Sequence, residues 1–256
     1  MRDKKPQQHM KSGRKTCEWP TGDPLLMKYH DTEWGIPVHD DRTHFEYLVL
    51  DAMQAGLSWR TVLHKRENFR KAFDQFDFRK VSRYGRKDIG RLLRDAGIIR
   101  NRLKILAAIE NAKRFLEIRK EFGTFDRYIW PFVGGKPIRH RFRSLKELPA
   151  RTRESDAMSA NLKRRGFRFV GSTICYAYMQ VAGLVNDPVG RRDRPDEIVD
   201  LFLHQQLGER VHRHLRIGLG VAEENFDFLV ADLSAVDIDG HLDAALRGRA
   251  VSHEPP

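Results

Sequence analysis

The sequence predicts an all-α protein, on the basis of three observations. Apolar residues recur at helical spacing along much of the chain, and no segment shows the sustained alternation with tight turns that marks β-hairpins. The 256 residues are 40% hydrophobic, which is enough for a substantial core. The segments with the helical pattern are 42–55, 58–73, 88–94, 101–118, 124–132 and 155–184. Any strands are therefore expected to be incidental.

Composition divides the chain into three parts. Residues 1–16 carry six Lys or Arg against one Asp and almost no apolar side chains, which predicts a disordered basic arm; a start-site extension is the alternative. Residues 17–190 form the predicted folded domain. Residues 191–256 are expected to add packed helices with one apolar face, and this extension becomes acidic toward its end.

The charge of the chain indicates its class of partner. The net charge is +12, with the isoelectric point near 9.9, which favours a polyanion such as DNA or an acidic membrane surface. Residues 136–168 hold eleven Lys or Arg and three acids, whereas 217–246 contain neither Lys nor Arg. Two cysteines make no disulfide framework, and no apolar run approaches the roughly 20 residues of a membrane span. With no secretory signal, a cytoplasmic protein is the default.

An aromatic-rich segment follows the arm. Asp23 as N-cap and Pro24 at the first helical position predict a short helix that reaches His30. Trp19 and Trp34 lie in irregular chain on either side of it. These aromatic side chains either plug the end of the helical core or wall a pocket.

A tight corner between two helices follows directly. Gly56 is placed to end the first helix in a left-handed cap, and Ser58 to cap the second. Asp51 and Gln54 lie on a face of the first helix that differs from its apolar stripe, and Trp59 opens the second helix. Either Asp51 and Gln54 are solvated while Trp59 is core, or the three side chains converge on a site.

A helix-hairpin-helix pattern occupies residues 155–184. Ser155 and Ser172 are the expected helix caps, and Gly166 and Gly171 bound the turn between the two helices. Glycines allow close approach of a phosphate, to which the N–H groups of the second helix point. Any glycine-bounded helical turn would give the same pattern.

Several stretches together resemble the DNA-3-methyladenine glycosylase I family, monofunctional base-excision enzymes of the helix-hairpin-helix superfamily. They run in the same order from about residue 17 to about residue 187. The resemblance implies a helix-hairpin-helix DNA glycosylase fold with, here, a helical C-terminal extension. The matching stretches are 23–25, 29–35, 54–59, 65–69, 95–100 and 166–176.

The resemblance implies a role for each candidate residue. Tyr29 and Asp51 would be the catalytic pair that hydrogen-bonds a flipped base. The residues implied to surround that base are Trp19, Trp34, Trp59 and Gln54. The residues implied to contact DNA are Gly56, Leu57, Lys163, Gly166, Gly171, Ser172 and Thr173. Lyase members of the superfamily carry a nucleophilic lysine where this chain has Thr173, so no strand cleavage is expected.

The implied reaction is hydrolysis of the N-glycosidic bond of 3-methyladenine or a similar cationic alkylpurine. An aromatic box with a carboxylate attracts a cation over neutral adenine, and a damaged base is easier to flip out of the duplex. The implied partner is double-stranded DNA with alkylated bases, and the protein is expected to be a monomer. The alternatives are a damage-sensing homologue with weakened catalysis and a glycosylase for another damaged base.

The chain departs from the family pattern at the pocket and at a metal site. Asp51 stands where the family has a glutamate, which retracts the carboxylate by about 1.5 Å, and Leu26 replaces a tyrosine. Cys17 and His30 match half of a zinc site, but residues 188–192 contain neither remaining ligand. We therefore expect no zinc and no other cofactor, unless one of His204, His212 or His214 completes the site.

Overall fold

The computed structural model describes residues 22–142 and 147–187. Its α-helices, in chain order, are α1 (Pro24–Thr32), α2 (Asp41–Gln54), α3 (Trp59–His64), α4 (Arg66–Ala72), α5 (Phe78–Val81), α6 (Arg86–Arg94), α7 (Arg102–Phe122), α8 (Phe125–Ile129), α9 (Arg153–Arg164) and α10 (Ser172–Val181). Short 3₁₀ turns occupy Asp74–Phe76 and Trp130–Val133. Strand β1 (Ile138–Arg139) pairs in parallel with β2 (Val185–Asn186). The predicted all-α fold with incidental strands is confirmed.

The expected basic arm and C-terminal extension lie outside the described residues. Consequently the predicted boundaries of the folded domain stay predictions. Across 22–142 and 147–187, no helix has the length and apolar character needed to cross a membrane.

Helix starts follow local capping chemistry. The Asp23 carboxylate accepts hydrogen bonds from the backbone N–H groups of Leu25 and Leu26 at the start of α1, as predicted. Asp40 caps α2 and Asn101 caps α7 in the same way. These side chains satisfy N–H groups that have no partner within the helix. Such signals depend on a few consecutive residues, so they can be recognised in the sequence.

The prediction of a single helix over residues 58–73 is wrong. The structure divides it into α3 and α4 at Lys65, whose backbone has φ −96° and ψ −3°. The Lys65 ammonium donates to the Ala96 carbonyl at 3.1 Å, so the break is tied to a distant loop. Neither glycine nor proline marks the division.

Helix α2 is central and packs against α3, α7, α8 and α10. Phe45 of α2 meets Phe115 of α7, with 5.4 Å between ring centroids. Phe115 in turn stacks on Phe125 at 4.2 Å. This aromatic packing orients α2 within the core.

The loop before α2 rests directly on the end of α10. The Val38 N–H donates to the Ala182 carbonyl at 3.0 Å. A Cβ atom on Gly183 would lie only 2.5 Å from backbone atoms of Ile36 and Pro37, and Gly183 has a positive φ of 69°. Only glycine fits both requirements. The close approach holds the segment after Trp34 against α10.

Candidate active site

Asp51 lies on α2 with no solvent exposure. Among the described residues, neither of its carboxylate oxygens has a hydrogen-bond partner. Burial therefore raises the pKa of Asp51 well above its usual range. Burial also raises the pKa of Cys175 and Tyr178 on α10, and the nearby charge of Asp51 adds to both shifts. The prediction that Asp51 could be a solvated surface residue is wrong.

The aromatic side chains of Tyr29, Trp34 and Trp59 belong to the same buried core as Leu50 and Met53, which lie on α2 with Asp51. Tyr29 contacts Trp59 with 5.4 Å between ring centroids. The indole N–H groups of Trp34 and Trp59 are buried and lack a hydrogen-bond acceptor among the described residues. The buried core of the described residues therefore contains two indole donors and one carboxylate that have no hydrogen-bond partner there.

The corner between α2 and α3 has the predicted backbone. Gly56 is exposed and has a left-handed φ of 78°. The Leu57 N–H donates to the Gln54 carbonyl at 2.6 Å, and the Ser58 hydroxyl caps α3 by accepting from the Thr61 N–H at 3.1 Å. Gln54 is 7% exposed, so it too is not a solvated surface residue. The corner therefore presents Gly56 outward while burying its polar neighbour.

Arg66 stabilises the segment that carries Tyr29 and Trp34. Its guanidinium donates to Glu46 and to Glu33, each at 2.6 Å, and lies 6.0 Å from the centroid of the Tyr29 ring. Arg66 is 6% exposed. Sequence reasoning included it in a matching stretch but assigned it no role, because its partners lie 20 and 33 residues away.

The hairpin between α9 and α10 forms as predicted, although both caps differ. Thr152, rather than Ser155, caps α9, because its hydroxyl accepts from the Ser155 N–H at 3.3 Å. Gly171 is the N-cap of α10, and Ser172 is its first residue. The Ser172 hydroxyl donates to Asp156 instead of capping a helix. In both helices the N-cap is therefore a residue that precedes the predicted one, Thr152 for α9 and Gly171 for α10.

The predicted DNA contacts of the hairpin cluster at one end of α9 and α10. Lys163 is exposed in the last turn of α9. Gly166 has a positive φ of 84°, and no atom lies within 4 Å of the Cβ position of Gly171. Thr173 is half-buried at the start of α10. Their contact with DNA stays a prediction.

Two residues of the predicted site lie outside the described residues: Trp19, expected to stack on the base, and Cys17, expected beside His30. His30 itself has its Nδ1 atom 2.8 Å from Asp31. Within the described ranges no group of three or more His, Cys, Asp or Glu side chains is arranged to hold a metal ion. Cys17 and the candidate ligands His204, His212 and His214 lie outside those ranges, so the expectation of no zinc and no other cofactor stays a prediction.

Comparison with known proteins agrees with this architecture. Residues 19–191 match the methyladenine glycosylase family. DNA-3-methyladenine glycosylase 1 of Escherichia coli K12 is 50% identical over 173 residues, which are 68% of this chain and 92% of that protein.

Solved structures give the same result. The crystal structure of a 3-methyladenine DNA glycosylase I superposes with a TM-score of 0.66 at 45% identity, over 74% of this chain and all of the other. A Tyr-to-Phe variant of a 3-methyladenine DNA glycosylase I in complex with 3-methyladenine gives a TM-score of 0.67 at 31% identity, over 72% of this chain and 98% of that one. The chain therefore belongs to the methyladenine glycosylase family.

Proposed function

We propose that the protein is a monofunctional DNA glycosylase that hydrolyses the N-glycosidic bond of 3-methyladenine, or a similar cationic alkylpurine, in DNA. The observation that carries the proposal is the carboxylate of Asp51, fully buried and without a hydrogen-bond partner among the described residues. The buried aromatic side chains of the same core, among them Tyr29 and Trp59, and the names of the protein's relatives support the same substrate.

A buried carboxylate without a partner is unfavourable, so it needs a compensating function. A cationic base beside Asp51 would supply the missing counter-charge. Electron-rich rings such as those of Tyr29 and Trp59 favour a cation further, by about 1–2 kcal/mol when water is excluded. Neutral adenine offers no such charge, so the pocket selects for alkylation.

The chemical step asks little of the enzyme once the base is bound. Alkylation at N3 places a positive charge on the purine, and the electron pair of the breaking C1′–N9 bond neutralises it. Water then adds to C1′ of the sugar and loses a proton. Asp51 acts by binding and orienting the cation in a low-dielectric pocket, where electrostatic interactions are strong.

The base must leave the duplex before it reaches the pocket. Gly56, which is exposed, and Leu57, which is half-buried, lie in the turn between α2 and α3, where they would face the gap left by the flipped nucleotide. The glycine-bounded hairpin would bind the backbone through N–H groups at the start of α10. Thr173 supplies no amine there, which supports hydrolysis without strand cleavage.

The direct test is to incubate the protein with DNA treated with a methylating agent and to identify released bases by chromatography. We expect release of 3-methyladenine, a large loss in Asp51→Asn and Trp59→Ala, and no loss in Glu67→Gln, a control at an exposed carboxylate. Binding to the treated DNA without release of any base would contradict the proposal. It would instead support the damage-sensing alternative, which the short side chain of Asp51 favours.

A further inference from the structure

Helix α7 carries two polar side chains that are buried in the interior of the protein. Lys104, in the first turn, is 5% exposed, and Asn111 is 1% exposed. They are seven residues apart, so they lie on the same face of the helix, about 10 Å apart along its axis. Each donates a hydrogen bond to the backbone of a different distant segment.

Lys104 reaches the end of α2. Its ammonium donates to the carbonyl of Met53 at 3.0 Å and to the carbonyl of Ala55. A cation is favourable at a helix C-terminus, where carbonyl groups lack partners within the helix. Lys104 therefore holds the backbone immediately before Gly56 and Leu57.

Asn111 reaches the hairpin. Its side-chain amide donates to the carbonyl of Arg168 at 2.9 Å, and its side-chain oxygen accepts from the Arg168 N–H at 2.8 Å. One amide thus binds both polar groups of one residue in the middle of the turn. The neighbouring Phe169 has a positive φ of 55°, a conformation that needs such support.

We propose that α7 keeps the corner at Gly56 and Leu57 at a constant distance from the hairpin between α9 and α10. Lys104 and Asn111 are the positioning residues. The inference rests on the proposed function, because it assigns the two tethered segments to one DNA duplex. A flipped base enters the pocket only when the backbone is held at the matching distance. Lys104 and Asn111 lie on one continuous α-helix, whose rise per residue fixes the distance between the two tethered segments.

The two tethers predict two separable defects. Asn111→Ala removes both hydrogen bonds that order Arg168, so the hairpin must become ordered as it binds, and binding of an undamaged duplex should weaken about tenfold. Base release at saturating enzyme should change less than about threefold. Lys104→Met should do the reverse, with near-normal duplex binding and a release rate about tenfold lower. Lys104→Arg, which keeps a cation and several donors, should restore much of that rate.

Ile118→Val, a buried apolar change on the same helix, is the matched control, and each variant is compared at a temperature well below its unfolding midpoint. If Asn111→Ala does not fold, Asn111→Ser should show the same kind of defect to a smaller extent. The proposal is overturned if both tether variants behave like the control, or if both change binding and rate in equal proportion. Absence of base release in the unmodified protein would instead overturn the proposed function, while the effect of Asn111→Ala on duplex binding would still test the hairpin tether.

Discussion

Asp51 and Asp187 are both completely buried, yet their surroundings are opposite. Asp187, next to β2, accepts hydrogen bonds from the Tyr176 hydroxyl, from the Gln180 amide at 2.7 Å and from His140 Nδ1 at 2.7 Å. Asp51 accepts none from the described residues. A buried carboxylate with several donors stabilises the fold, whereas one without donors lowers stability and is available to a ligand. The same residue type therefore indicates structure in one place and function in the other.

The largest effect should come from removing the carboxylate with partners. Asp187→Ala leaves buried donors of Tyr176 and Gln180 without an acceptor, so we expect the free energy of unfolding to fall by about 3 kcal/mol. Chemical denaturation measures the change. A loss below about 0.5 kcal/mol would show that these hydrogen bonds contribute little to stability.

Removing the other carboxylate should have the opposite effect on stability. Because burial raises the pKa of Asp51, its contribution to stability is complete below the ordinary value of 3.8 and is lost as pH rises through the folded-state pKa. Asp51→Asn should therefore stabilise the protein at neutral pH by about 1–2 kcal/mol, and the gain should shrink toward pH 4. Base release should fall about 100-fold in the same variant.

Thermal unfolding of both proteins at several pH values, together with the release assay, measures these changes. An Asn variant that is less stable than the unmodified protein at pH 7 would contradict the view that Asp51 is an unfavourable buried charge.

Lengthening each aspartate side chain by one methylene group should further distinguish the site of Asp187 from that of Asp51. Asp187→Glu forces an extra methylene into a packed hydrogen-bonded cluster and should cost about 1–3 kcal/mol of stability. Asp51→Glu introduces the residue of the family pattern, and we expect base release within about tenfold of the unmodified rate, since the carboxylate moves by only about 1.5 Å. Denaturation curves and release rates of the pair provide the comparison. Equal destabilisation by the two substitutions would remove the distinction between the sites.

The smallest effect concerns His140. Its hydrogen bond to Asp187 raises the pKa of His140, so this pair stabilises the fold fully below the ordinary value of 6.5 and loses that contribution as pH rises through the folded-state pKa. His140 is about one-third exposed, which keeps the effect below about 1 kcal/mol. His140→Gln should flatten the stability profile above pH 6.5. An unchanged profile would mean that the ion pair is fully screened.

Local signals in the sequence predicted much of the fold and part of the site. Asp23 and Pro24 start α1 as expected, and Gly56 adopts the predicted left-handed conformation. Asp51 and Trp59 were identified as site candidates from their position at one corner and from the family resemblance. The division at Lys65 was missed because its interaction partner, Ala96, is 31 residues away.

The supporting residues of the site were missed for the same reason. Nothing in the spacing of α7 shows that Lys104 reaches α2 or that Asn111 reaches the hairpin, since these contacts span 51 and 57 residues. Both residue types are usually exposed on helices, and burial is decided by the elements packed around them.

The sequence by itself determined most of the helices and the caps at Asp23 and Ser58, because these depend on neighbouring residues. Only the tertiary structure decided which of the two carboxylates has hydrogen-bond partners. Tyr176 and Gln180 of α10 turn toward Asp187, while Cys175 and Tyr178 lie close enough for the charge of Asp51 to add to the rise in pKa that burial causes. Helix packing thereby leaves one buried carboxylate without a hydrogen-bond partner among the described residues.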